Sequence, residues 1–165
     1  MTKVFLLAIL TLASFSFCAQ TRQYIKDAYA FTRVIHRGMV RVDNNGNPQS
    51  NGVDTSYNVY VETAASVSPT FDAIWVHNKP YVITSSEVIE KKVQVGYSKI
   101  SDEPVELAAK TGNKLWRLDI GEPASIKKAS SFITATSIVI EGKSNNRSFY
   151  FKVAKERELK DINGQ

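Results

Sequence analysis

In Ser56-Tyr57-Asn58-Val59-Tyr60-Val61-Glu62-Thr63, apolar and polar side chains alternate with a period of two. Tyr57, Val59 and Val61 point to one side of an extended chain, and Asn58, Tyr60 and Glu62 to the other. Runs of the same kind recur at Phe71–His77, Tyr81–Thr84, Val88–Tyr97, Lys114–Ile120, Phe132–Glu141 and Ser148–Lys155. With the opening stretch Ala28–Asp43 they amount to about eight strands.

The connectors between these runs have turn chemistry. Asn78, Lys79 and Pro80 predict a tight turn, and Gly142–Arg147 a longer hairpin loop. Asp43–Asp54 is polar and holds Asn45-Gly46 and Asn51-Gly52, pairs that tolerate a left-handed backbone. The longest connection is Ser98–Gly112, within which Val105–Lys110 reads as a single helical turn. The tail, with Glu156 and Lys160 four apart, reads either as helix or as a strand fading into a charged end. No stretch carries a sustained helical stripe. The expected fold is therefore all-β: an antiparallel β-sandwich of about eight strands, with a small β-barrel as the alternative. Trp75 resembles the core tryptophan of immunoglobulin-like domains, but without their flanking cysteine pair the likeness is one of architecture only.

The amino terminus reads as a targeting segment. Lys3 precedes an uncharged run of 14 residues, Val4–Phe17, and polar sequence resumes at Gln20. That run is shorter than the about 20 residues of a membrane-spanning helix, and its order matches a secretory signal peptide. Cutting after Cys18 sets small Ser16 and Cys18 at the recognised positions, whereas cutting after Ala19 sets bulky Phe17 there. A lipid anchor on Cys18 is the alternative, disfavoured by Phe17 just before it. The expectation is a signal peptide over 1–18, a single β-rich domain over 19–165, and a periplasmic or secreted destination.

Cys18 is the one cysteine. The expected mature domain thus has no disulfide and no cysteine nucleophile, and must rely on its core. Of the 21 Lys and Arg, only Lys3 lies in the first eighteen residues, which leaves 20 against 16 Asp and Glu. The excess is spread in short pairs such as Lys91-Lys92 and Lys127-Lys128, with no block of five or six like charges. Neither a nucleic-acid partner nor a membrane span is expected.

Catalytic signatures are lacking. His36 and His77 have no metal-ligand spacing, and no metal or other cofactor is expected. No serine sits in a glycine-flanked nucleophile elbow. Carboxylate catalysis has candidates in Asp72, Glu87, Glu103, Glu106 and Asp119, if two of them converge. Asp43, Asn45, Asn47 and Asp54 fall at calcium-loop positions, but Pro48 stands where such a loop needs glycine. Asn146-Arg147-Ser148 fits a glycosylation acceptor.

Binding has better candidates. Arg33, Arg37 and Arg41 fall on one face of an extended strand at about 13 Å intervals, a spacing suited to carboxylates or phosphates gripped in bidentate fashion. A bulge at Gly38 would split that stripe. Trp75, alternating with Ala73 and Phe71, and Trp116, alternating with Leu118 and Ile120, read as core. Tyr60, opposite Val59 and Val61, reads as an exposed ring. The function expected is an exported, non-catalytic β-sandwich module that binds an envelope or extracellular protein or glycan through Arg33, Arg37, Arg41 and Tyr60. A small exported hydrolase using carboxylates and a structural subunit of an envelope assembly are the alternatives.

Overall fold

A computed structural model describes residues 24–36, 38, 42–48, 53–125 and 136–163. The expected signal peptide with Cys18, and also Arg37 and Arg41, lie outside the described residues. Eleven strands follow one another: β1 (Ile25–His36), β2 (Val53–Ala64), β3 (Thr70–Val76), β4 (Lys79–Val88), β5 (Val93–Tyr97), β6 (Pro104–Leu107), β7 (Asn113–Pro123), β8 (Ile138–Ser144), β9 (Arg147–Lys152), β10 (Lys155–Glu158) and β11 (Ile162–Asn163). The protein is all-β, with no helical element among the described residues and hence no helix long and apolar enough to cross a membrane.

Nine strands form one mixed sheet in the order β10-β1-β2-β7-β4-β3-β8-β9, with β11 also on β1, and β5-β6 form a small second sheet. Pairing is antiparallel except at the outer edge of β1, where β10 and β11 run parallel to it. The main sheet is curled into a half-barrel, and chain connectivity requires the curl. β9 and β10 stand at opposite ends of the pairing order, yet only Val153 and Ala154 separate Lys152 from Lys155. Three peptide units span at most about 11 Å, so the two ends of the sheet must approach each other. The Val153 amide still donates to the Ile138 carbonyl at 2.9 Å, which extends the β8–β9 ladder to the crossing point.

The concave face encloses the larger core. Ala28 and Ala30, Val59 and Val61, Leu118, Ile138 and Ile140, and Phe149 bring alternate residues of five strands together with Val153. In β3 a register shift between Phe71 and Ala73 lets Phe71, Ile74 and Val76 join the same cluster. Trp75 and its partner Val139 are buried outside that cluster, and the indole N–H donates to Glu141 Oε2 at 3.2 Å. Trp75 is thus core, as expected, but the bulge breaks the period that placed it on the Phe71 face. Trp116 packs against the larger core and donates to Thr63 Oγ1 at 3.0 Å.

The β5–β6 hairpin covers the outer face of β1, β2 and β7. Phe31, Tyr60, Val95, Leu115 and Leu159 form this second core, flanked by Val93, Val105 and Leu107. Phe31 and Tyr60 meet edge to face at 6.3 Å, a favoured aromatic geometry. The helical turn expected at Val105–Lys110 is replaced by β6, because Val105 and Leu107 alternate into this core and pair with β5.

The turns are tighter than the sequence reading had them. Val76 pairs with Lys79 and Ser144 with Arg147, so two-residue turns connect these strands. His77 (φ 48°) with Asn78 (φ 67°), and Asn145 (φ 49°) with Asn146 (φ 60°), occupy the left-handed region that type I′ hairpins require. Gly142–Ser144, expected as loop, therefore continues β8. Val88–Tyr97 is not one strand: Val88 ends β4, and the chain bends before β5. The tail reading is settled in favour of strand, as β10 and β11.

Candidate functional site: a groove beside Arg33

Arg33 follows Phe31 on the hairpin-covered side of β1. A register shift between Gln94 and Gly96 leaves Val95 opposite no residue of β6, and the Val95 carbonyl accepts from Arg33 Nη2 at 3.1 Å. Gly96 makes room for this contact. A Cβ there would run into Arg33 Nη2 and lie 3.1 Å from Leu159 Cδ1.

The chain after β10 forms the opposite wall. Leu159 donates to the Thr32 carbonyl at 2.8 Å, Lys160 to the Tyr97 carbonyl at 2.8 Å, and Ser98 bridges Leu159. The two segments then part, since Ile162 and Asn163 pair with β1 instead. Between them opens a groove of about 460 Å³ lined by Arg33, Gln94–Tyr97 and Lys160–Ile162.

Charges around the groove are mostly paired. Lys160 Nζ holds both oxygens of Asp102 at 2.8 and 2.9 Å. Asp161 faces His36 Nε2 at 3.6 Å and Lys99 Nζ at 3.8 Å. Lys99 also reaches Glu158 at 3.1 Å, and that hydrogen bond, helped by Asp161, raises its pKa. Arg33 differs. Its Nε is shut off from water and meets no acceptor, and among the described residues no carboxylate pairs with it. Asp161 Oδ1, from the same lining, is likewise buried without a hydrogen-bond partner, so the groove's walls hold one unsatisfied donor and one unsatisfied acceptor.

A second polar cluster lies on the same face but is closed. Glu62 is 0% exposed. Its Oε1 accepts from the Lys110 amide at 2.9 Å and from Asn113 Nδ2 at 2.7 Å, and its Oε2 from Tyr29 Oη at 3.4 Å. The same hydroxyl lies 3.1 Å from Asp27 Oδ2, so its single proton is shared between the two carboxylates. Burial, with Asp27 adding to it, pushes the Tyr29 phenol up to about 12. This cluster ties the segment before β7 onto β1 and β2.

Of the expected binding residues, the structure places Arg33 at the groove. Tyr60 faces away from Val59 and Val61 as expected, but it is 4% exposed. The reading of an exposed ring is corrected: the β5–β6 hairpin covers that face, and burial raises the Tyr60 pKa. The carboxylates weighed for hydrolysis are dispersed. Asp72 pairs with Lys143, Glu87 with Lys114, Glu106 with Lys92 and Asp119 with Arg117, and neither these nor Glu103 lines the groove. Asp43 Oδ1 accepts from the amides of Asn45 and Asn47 at 2.9 and 2.8 Å, which holds its pKa below the usual range, the Asn47 bond foremost. Asp54 pairs instead across to Ile35 within the main sheet.

Sequence reasoning missed Gln94–Tyr97 and Lys160–Ile162. One signal was present: an isolated glycine in a strand run, Gly96, marks a bulge or a close backbone approach. Neither a known protein family, nor a curated protein, nor a solved structure matches this chain.

Proposed function

We propose that the protein is an exported, non-catalytic β-rich module that binds a protein or glycan of the envelope or extracellular space, and that the Arg33 groove is where it binds. The observation that carries this reading is the Arg33 guanidinium in the lining of an open groove, with no carboxylate paired to it among the described residues. Arginine is suited to that role because it stays charged and presents a planar fork of donors. Export rests on the segment 1–18, with its charge at Lys3 and its short apolar run.

The test expresses the full chain in its native host and captures it from envelope and medium, alongside Arg33→Gln. Support is one partner recovered in stoichiometric amount with the wild type and lost with Arg33→Gln, whose circular dichroism remains that of the wild type. A partner retained equally by both proteins removes the groove from the reading. Amino-terminal sequencing of the captured protein tests export, which predicts a start at residue 19.

A further inference from the structure

We infer that the end of the concave face beside the β3–β4 turn is a second binding site, taking a small organic ammonium ion. It lies across β1 from the Arg33 groove, since Thr32 points to one side of that strand and Arg33 to the other.

Four side chains from separate segments meet there: Tyr57 of β2, His77 of the β3–β4 turn, Tyr81 of β4 and Glu156 of β10. Register sets three of them on the concave face. Tyr57 pairs with Thr32, two residues beyond buried Ala30, while Glu156 is the parallel partner of Ala30 and Tyr81 pairs with buried Ile74. Tyr57 and Tyr81 accordingly pack against the larger core. Thr32 Oγ1 donates to Glu156 Oε1 at 2.9 Å. The curl of the sheet brings His77 over to Tyr57, with ring centroids 6.1 Å apart and the rings edge to face at 82°. Burial first, and then Glu156 and Tyr81, raise the Tyr57 pKa, so both lie within electrostatic reach of its phenol.

Two features select the ligand. The first is charge. Glu156 forms no ion pair among the described residues, and Lys79, which shares the Val76 end of this face, is not bonded to it. A carboxylate left uncompensated favours a cation and repels an anion. The second is the rings. Tyr57 and Tyr81 are half-buried, and neither phenol has a hydrogen-bond partner among the described residues. Aromatic faces attract an ammonium ion within about 6 Å of the ring, and free phenol oxygens accept from any N–H groups it carries. The mouth of a curled sheet is also where barrels admit small ligands.

The test uses the full chain as processed by its host and follows the ring signals of Tyr57, His77 and Tyr81 by NMR. The probes are choline and butylammonium, each beside its neutral isostere, with carbon for the choline nitrogen and hydroxyl for the amine. Methyl glucoside is the remaining probe. Expected are upfield shifts of the bound cation's protons from the ring currents, and binding at least about tenfold tighter for a cation than for its isostere. Glu156→Gln should lose a similar factor, whereas Tyr57→Phe keeps the ring and should bind choline within about twofold of the wild type. Equal binding of cation and isostere in both pairs overturns the inference, as do ring signals unmoved by either cation at millimolar concentration. Cation binding unchanged in Glu156→Gln also overturns it. Methyl glucoside bound as tightly as the better cation overturns it too, and passes this end of the sheet to a neutral sugar. The contrast between cation and isostere needs only wild-type protein, so a variant that fails to fold leaves the test intact.

Discussion

Glu62 illustrates how a polar position on a strand can become structural. Alternation puts it on the face opposite Val59 and Val61, where solvent would be the default, yet the chain around Lys110–Asn113 closes over it and supplies two donors. Glu62→Ala strands both donors and leaves a void, at an expected cost of about 2–4 kcal/mol. Glu62→Gln keeps the Oε1 acceptor and should cost less than about 1 kcal/mol. Urea unfolding of both variants checks this, and an alanine variant as stable as the glutamine one would show that these bonds do not hold the segment. Tyr29 beside it predicts a pH effect. Its phenol holds its proton up to about 12 in the fold, against about 10 when unfolded. That stabilisation is whole below pH 10 and fades as pH rises through 12. Tyr29→Phe should flatten the loss of stability across that window, measured by chemical denaturation at each pH. The slope should persist in part, since Tyr57, Tyr60 and Tyr150 are raised as well.

At the scale of elements, the hairpins β3–β4 and β8–β9 depend on left-handed turn residues. Asparagine tolerates that backbone, glycine has no steric penalty there, and a β-branched side chain is strained. Asn146→Gly should stabilise by about 0.5–1 kcal/mol, and Asn146→Val should destabilise by about 1–2 kcal/mol. Thermal melts of the two variants should bracket the wild type; movement in the same direction would contradict the turn assignment. Gly142 lies just before this turn for a packing reason: a Cβ there would sit 2.7 Å from Phe149 Cζ. The β5–β6 hairpin works differently. Its strands are short and belong to no larger sheet, so its place depends on Val95, Val105 and Leu107 burying against Phe31, Tyr60 and Leu115. That docking forms one wall of the Arg33 groove.

For the whole molecule, the crossing at Val153–Ala154 brings the two ends of the main sheet together. Beyond it, β10 and β11 cover the outer edge of β1, and Leu159 fills the second core. Removing residues 154–165 uncovers that edge and empties the Leu159 seat. The expected loss exceeds about 4 kcal/mol, a large part of the stability of a domain this size. Circular dichroism melts of the truncated and intact chains measure it, and a truncation melting within a few degrees of the intact chain would mean the half-barrel stands without its tail.

The strand alternation of Ser56–Thr63 and the runs like it determined the all-β class unaided, because a period of two buries one face whatever the partner strand is. A bulge takes buried Trp75 off the face its period predicted, but a turn at Asn78 and the packing of Trp116 against the larger core were legible locally. Pairing was not, since alternation says which way side chains point and is silent about which strand lies beside which. Only the tertiary structure set β7 between β2 and β4, β10 parallel to β1, and the hairpin over Tyr60. Val105–Leu107 shows the contest plainly: a short segment with weak local preference took the strand form because β5 offered it hydrogen bonds and an apolar face. The groove belongs to the same class of fact. Arg33 was visible as a candidate from its strand, but its neighbours come from segments about 60 and 130 residues further along the chain, and contacts at that separation are fixed by packing rather than by any local pattern.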